Sequence, residues 1–382
     1  MQCSQFLTHA VLPLLVRAGL HLTTIKEGIM RSVLFLVSAL LLGLSNNLQA
    51  TIINVPGDAP TIQRGINAAV DGDTVMVALG TYYEYNLDFL GKAITVMSTH
   101  PANPGVVERT IIDAQGDGKV FYFHSGEDST SVLSGFTITG GSSNYGAGIY
   151  CSGSSPKISN NAITGNMAYS SFAYGGGIYY GGSSSPIIKN NVIKNNSASA
   201  EKYDDAAVAK GGGIYCVGSG GKIINNIIIE NEAEAYSVEY GDYAYGGGIY
   251  VGSSTQITNN VISGNSVNAS FKYGGGIYCS SSSNANIKNS IIRGNSPDEI
   301  WGNPTVTYSD VEGGWAGEGN INADPLFRTY HGFDYLLQRA SPCIDAGDPA
   351  IEDGFDWPNS YNNAPRSDMG AYGGPGNVNW LP

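Results

Sequence analysis

The phrase "ISNNAITGN" (residues 158–166) returns as "IKNNVIKNN" (188–196), "IINNIIIEN" (223–231), "ITNNVISGN" (257–265) and "IKNSIIRGN" (287–295). Around each Asn pair apolar and polar residues alternate, which predicts two short strands joined by a tight turn. The copies lie 30, 35, 34 and 30 residues apart, too uneven for helical-pair repeats such as tetratricopeptide or ankyrin units. A glycine phrase precedes every copy: "YGAGIY" from Tyr145, "YGGGIY" from Tyr174, Tyr245 and Tyr273, and "KGGGIY" from Lys210. Between the last Asn of one copy and the next such glycine lie 8, 14, 14 and 8 residues; without them each unit has 20 to 22.

A constant core with insertions at one fixed place is the pattern of a parallel β-helix, whose coils each hold three short strands and three turns. The expected fold class is therefore all-β, a solenoid with insertions leaving one corner as loops. Stacking the coils places Ile158, Ile188, Ile223, Ile257 and Ile287 in one internal ladder and Ile163, Ile193, Ile228, Ile262 and Ile292 in another. Asn160, Asn190, Asn225, Asn259 and Asn289 fall at the turn between them, where Asn tolerates left-handed angles and stacked amides can bond from coil to coil. Asn166, Asn196, Asn231, Asn265 and Asn295 read the same way.

Upstream, "LSGFTITGG" (133–141) is a degenerate coil, and in "PTIQRGINAAVDGDTVMVALGTYYE" Ile62, Ile66 and Ala69 share one face of a short helix before a strand at Thr74 to Ala78. That helix and strand are the expected N-terminal cap, since an open solenoid end invites aggregation. The expected organisation is an N-terminal extension and signal peptide over 1–50, a cap and first coils over 51–130, regular coils over 131–300, and a last coil with an irregular C-terminal cap over 301–382.

Composition narrows the function. The chain of 382 residues has 52 Gly, 24 Tyr, 19 Lys or Arg and a formal charge of -13, which argues against a nucleic-acid partner. Met30-Arg31-Ser32 before "VLFLVSALLLGL", with Ala50 beyond, reads as a secretory signal starting at Met30 and cleaved before Thr51, leaving no membrane span in the mature chain. The expected location is extracellular or on a bacterial cell surface.

The cap segment, with "GKAITVMS" after it, resembles the N-terminal region of right-handed parallel β-helix proteins of the pectate-lyase-like superfamily. "GNINADPLF", "DYLLQRASPCIDAGDP" and "SDMGAYGG" resemble the C-terminal module of bacterial surface proteins called choice-of-anchor Q proteins. Members of that group often continue into an anchoring segment; after "GNVNWLP" no apolar tail follows, so simple secretion is expected. The superfamily includes pectate lyases, polygalacturonases and pectin methylesterases, so the resemblance implies polysaccharide chemistry to be looked for. The coils carry no paired Asp, "GHG" and "RIK" are absent, and His100, His124 and His331 lie outside the clear repeats without a recognisable catalytic partner. No catalytic residue is assigned.

No cofactor is expected, with Ca²⁺ the one possible exception: Asp204, Asp205, Glu239 and Asp242 lie in two neighbouring insertions and could offer oxygen ligands between coils. The stronger feature is aromatic. If Ile149 and Cys151 face the core, Tyr150 faces out, and Tyr150, Tyr179, Tyr215, Tyr250 and Tyr278 stack along one face, about 4.8 Å apart. Tyr174, Tyr245 and Tyr273 from the glycine phrases join them as expected ligand contacts, and Tyr169, Tyr203, Tyr236, Tyr240 and Tyr243 are expected near the same corner. Such a ladder can stabilise a sheet or hold pyranose rings. The expected function is a non-catalytic protein binding an extracellular polysaccharide or surface polymer; a lyase, hydrolase or esterase, and a purely structural or adhesive protein, are the alternatives. The same register sets Cys151, Cys216 and Cys279 two coils apart, about 9 to 10 Å and beyond disulfide reach, so free buried thiols are expected.

Overall fold

The computed structural model describes residues 50–330, 333–354 and 365–375; the signal segment and His331 lie outside them. Three parallel sheets form the coil. Sheet I has ten strands, from Ile52–Val55 to Thr305–Thr307; sheet II has nine, from Gly80–Tyr82 to Asp310–Val311; sheet III has seven, from Phe121–Phe123 to Ile300–Trp301. The result is a right-handed parallel β-helix. Its registers follow the repeats: Ile158 pairs with Ile188, Ile188 with Ile223, Ile223 with Ile257 and Ile257 with Ile287. The second ladder runs Ile163, Ile193, Ile228, Ile262, Ile292 on sheet II, and a third runs Ile149, Ile178, Ile214, Ile249, Ile277 on sheet III. All fifteen isoleucines are fully buried in one continuous core. At about 1.5–3 kcal/mol for each buried aliphatic side chain, these ladders dominate the stability of the coils.

The N-terminal cap forms as read. Helix α1 (Ile62–Ala68) begins at Thr61, whose side chain accepts from Arg64 N, and it presses Ile62 and Ile66 into the core beside Val55 and Val75. The Glu84 carboxylate accepts from the N–H groups of Ile62 and Gln63 at 2.8 and 3.0 Å, matching a negative charge to the helix start.

The Asn pairs divide two tasks that the sequence reading had merged. Asn160, Asn190, Asn225, Asn259 and Asn289 adopt left-handed φ of 58°, 55°, 55°, 54° and 51° and turn the chain from sheet I to sheet II. The coil-to-coil amide ladder belongs to their neighbours, Asn161 to Asn191 to Asn226 to Asn260, with Nδ2 to Oδ1 distances of 3.1, 3.0 and 3.0 Å. A second ladder runs Asn166, Asn196, Asn231, Asn265, Asn295 at 2.9, 3.0, 2.9 and 2.9 Å. The ladders lie inside the turn, where their amides satisfy buried backbone groups, whereas the left-handed residues point their side chains outward.

In the last three of these five coils those outward amides meet the C-terminal segment. Asn225 donates to the carbonyls of Ala371 and Gly373 at 3.0 and 2.7 Å, Asn259 to that of Asp368 at 2.9 Å, and Asn289 accepts from Asp348 N at 2.8 Å. The C-terminal segment thereby lies along the outer face of sheet II, where Leu336, Leu337, Met369 and Tyr372 cover Ile227, Ile229, Val261 and Ile291.

Cys151, Cys216, Cys279 and Cys343 are free and buried, and the residues between the first three in the stack are Tyr180 and Val251, as the register requires. Burial pushes the Cys216 and Cys279 thiols up to about 12. We expect none of the four to react with a thiol reagent in native buffer and all four to react after denaturation, read by mass spectrometry; a native Cys216 adduct would contradict this packing.

Candidate binding groove

The insertions are strands where loops were expected. Sheet IV stacks Ser142–Ser143, Met167–Ser170, Ser197–Lys202, Glu232–Ser237 and Ser266–Asn268, and sheet V stacks Phe172–Tyr174, Ala207–Lys210, Asp242–Tyr245 and Phe271–Tyr273. Each insertion runs out along sheet IV and returns along sheet V into the glycine phrase. Between the sheets lies a layer of alanines: Ala168, Ala173, Ala198, Ala200, Ala207, Ala209, Ala233, Ala235 and Ala244, none more than 4% exposed. Small side chains let the two backbones approach closely, and the outcome is a thin two-sheet fin on the corner between sheets II and III. The signal was present as period-two alanines in "ASAEK", "AAVAK" and "EAEAY", too weakly hydrophobic to stand out.

The fin decides which tyrosines meet. On sheet V the alternation that buries Ala173, Ala209 and Ala244 turns Tyr174, Lys210, Tyr245 and Tyr273 outward in one row, with Phe172, Val208, Tyr243 and Phe271 in a second. These rows face the sheet III ladder, forming a groove with two walls. The ladder starts one coil earlier than expected: Tyr122, Tyr150, Tyr179, Tyr215, Tyr250 and Tyr278 stack with successive ring centroids 5.3, 4.9, 5.2, 4.9 and 5.1 Å apart. Across the corner Tyr174 stacks on Tyr215 at 4.9 Å, Tyr245 meets Tyr278 edge-on at 4.8 Å, and Tyr273 contacts Trp301 at 4.7 Å. A recess of about 280 Å³ opens among Val208, Lys210, Tyr243, Tyr245, Tyr250 and Tyr278.

Two expectations need correction. The ladder is less open than a bare solenoid face, because the fin shades it: Tyr215 and Tyr250 are only 8% and 9% exposed, while Tyr150, Tyr179 and Tyr278 are half-buried. And the insertion tyrosines do not all share one corner. Tyr169 and Tyr236 lie on the opposite flank, the outer face of sheet IV, where Tyr169 donates to Glu201 at 2.8 Å; Tyr203 and Tyr240 stand exposed between the sheet IV and sheet V strands of their insertions. The alternation of a strand separates them, which a loop reading could not foresee.

Electrostatically the groove is phenolic with two cations. Burial pushes the Tyr174 and Tyr250 hydroxyls up to about 12 and Tyr215 further, so all remain protonated hydrogen-bond donors at neutral pH. Lys210 Nζ lies 5.3, 5.7 and 5.0 Å from the ring centroids of Tyr174, Tyr245 and Tyr250, and burial lowers its pKa. Lys119 Nζ sits 5.6 and 5.3 Å from those of Tyr122 and Tyr150 and donates to Ser143 Oγ at 2.8 Å.

The acidic residues of the insertions are engaged separately. Asp205 pairs with Lys202 at 3.1 Å, the Asp242 carboxylate accepts from Ser270 N at 2.8 Å, and Asp204 and Glu239 are exposed. Among the described residues no group of three or more His, Cys, Asp or Glu converges to hold a metal ion. No described helix is long and apolar enough to cross a membrane.

A family model for a right handed beta helix region matches residues 102–314. Among solved structures the chain is similar to the crystal structure of pectate lyase Pel9A, with 13% identity and a TM-score of 0.38 over 85% of this chain and 96% of that one. It is also similar to the PL6 family alginate lyase AlyGC, with 13% identity and a TM-score of 0.28 over 87% of this chain and 59% of that one. No curated protein matches.

Proposed function

The chain belongs to the right-handed β-helix family, and from that premise we propose that it is an exported, non-catalytic protein that binds an extracellular polysaccharide along the groove between sheet III and the fin. The observation that carries this reading is the extent of the aromatic lining: tyrosines from six coils on one wall and aromatic residues from three of the four sheet V strands on the other. Aromatic faces with phenolic donors suit sugar rings, whose flanks are apolar and whose rims are hydroxylated. The signal-like segment before Thr51 and the C-terminal resemblance to choice-of-anchor Q proteins support an extracellular or surface location.

A second reading is favoured by one specific observation. The rings stack on one another and two of them are buried, which is also how a ladder acts that only stiffens its sheet. The two readings separate on Tyr245, which is half-buried, and Tyr215, which is buried. In affinity gels, Tyr245→Ala is expected to weaken polysaccharide retention roughly three- to tenfold with little change in melting temperature. Tyr215→Ala is expected to lower the melting temperature as well. If Tyr245→Ala protein stays folded and is retained like the parent, the ladder is packing alone.

A further inference from the structure

The row along sheet V reads Tyr174, Lys210, Tyr245, Tyr273, so one cation stands where the neighbouring strands carry tyrosine. Its ammonium faces three ring centroids at 5.0–5.7 Å, and among the described residues it forms no ion pair. Lys119 repeats the arrangement at the other end, over Tyr122 and Tyr150. Counting coils, the rings under Lys119 belong to the first two rungs of the ladder, whereas Lys210 lies at the level of the fourth, Tyr215. The two charges are therefore separated by two to three strand spacings, roughly 12 Å along the groove.

We infer that the groove takes a polysaccharide that is mostly neutral and carries isolated anionic groups, one met by Lys210 and another by Lys119, and not a polymer charged at every sugar. This rests on the polysaccharide reading above and narrows it. Between the two lysines the lining is Tyr150, Tyr179, Tyr145 and Tyr174, all uncharged. The face of an aromatic ring attracts cations and repels anions, so a carboxylate lying over any of these rings would lose water and meet no counter-charge. A neutral sugar stacks there without that cost. The formal charge of -13 adds a general repulsion of dense polyanions. A lysine already held against rings also has its stem ordered, so its ammonium is placed before an acidic group arrives.

The test uses the full chain and three polymers in affinity electrophoresis: glucuronoxylan, whose acidic groups are sparse, the same polymer after carboxyl reduction, and polygalacturonate. The parent protein is expected to be retained about tenfold more strongly by glucuronoxylan than by its reduced form, and least by polygalacturonate. Lys210→Gln is expected to abolish most of that tenfold preference, so that the variant retains the two xylans nearly equally, with circular dichroism melting confirming the fold. A salt series on the unaltered protein gives the same answer without a variant: added salt should weaken the glucuronoxylan complex and spare the reduced one. Equal or stronger retention by polygalacturonate, or equal retention of the two xylans, would overturn the inference and leave polysaccharide binding standing. No retention by any of the three would remove the polysaccharide reading together with it.

Discussion

Gly247→Ala should unfold the central coils at a temperature roughly 5–10 °C below the parent protein, while Gly264→Ala should cost about half of that or less. Gly246, Gly247 and Gly248 look alike in sequence but meet different constraints. Gly246 needs its left-handed φ of 65° to turn out of the fin. A Cβ on Gly247 would overlap the Ser266 carbonyl oxygen and lie 2.7 Å from that of Gly275, and one on Gly248 would lie 2.6 Å from the Gly276 oxygen. These obstacles are backbone of the next coil, with no side chain able to swing away, so the strands must part. Overpacking of this kind costs about 3 kcal/mol or more, and each kcal/mol moves the midpoint of a protein this size by about 2–4 °C. At Gly264 the φ is 66° but the nearest atom is 3.7 Å away, leaving only the left-handed penalty of about 1–2 kcal/mol. Thermal melts of the two variants decide the matter: if they coincide, coil-to-coil contact is not what the glycines serve.

Asn231→Ala should be the most damaging of the asparagine changes. Asn231 Oδ1 accepts from both the backbone N–H and the side chain of Asn196 at 3.1 and 3.0 Å, and its Nδ2 donates to the carbonyls of Ile193 and Ile229 and to Asn265 at 2.9–3.0 Å. The residue is fully buried. Alanine leaves the buried Asn196 backbone N–H without its acceptor and removes one bond each from the Asn196 and Asn265 amides and from the Ile193 and Ile229 carbonyls, at about 1–3 kcal/mol for each group that no water reaches. The expected loss is about 3–5 kcal/mol, with protease cleavage appearing first in the coils on either side. Asn160→Gly is the contrasting variant. Its φ of 58° suits glycine, and its Nδ2 makes a 3.2 Å bond to Ser134 Oγ, so a change within about 1 kcal/mol is expected. Equal losses in the two would mean that the buried ladder contributes no more than the turn.

The solenoid was legible because its evidence is periodic and strongly apolar. Ile158 and its equivalents fix a register, and that register alone placed Tyr180 and Val251 between the cysteines. Adjacent asparagines were harder, since Asn160 and Asn161 are chemically identical and differ only in which way the turn points them. The fin stayed hidden for another reason. Alanine alternating with Ser, Glu or Tyr has little hydrophobic contrast, and it becomes a core only when a second sheet lies close enough for a methyl group to fill the gap. Without the fin, the tyrosines looked like an open face, Lys210 looked like a minor variant of the glycine phrase, and Tyr169 could not be told apart from Tyr174.

The two insertion lengths then take on a meaning of their own. The longer insertions run Ser197–Lys202 and Glu232–Ser237 on sheet IV against Met167–Ser170 and Ser266–Asn268 in the shorter ones, gain one residue on sheet V and carry a longer turn between the arms, and this longer pair occupies the two middle coils, those of Lys210 and Tyr245. The fin is a parapet whose height is written in residue count, tallest at its centre and stepping down towards either end. Because each arm pairs only with the arms above and below it, the height can be altered coil by coil while the barrel of isoleucines beneath keeps its register. Depth and wall chemistry are thus separate dials on one scaffold, and a library varying only residues 197–210 and 232–245 would explore new cavities without reopening the folding problem.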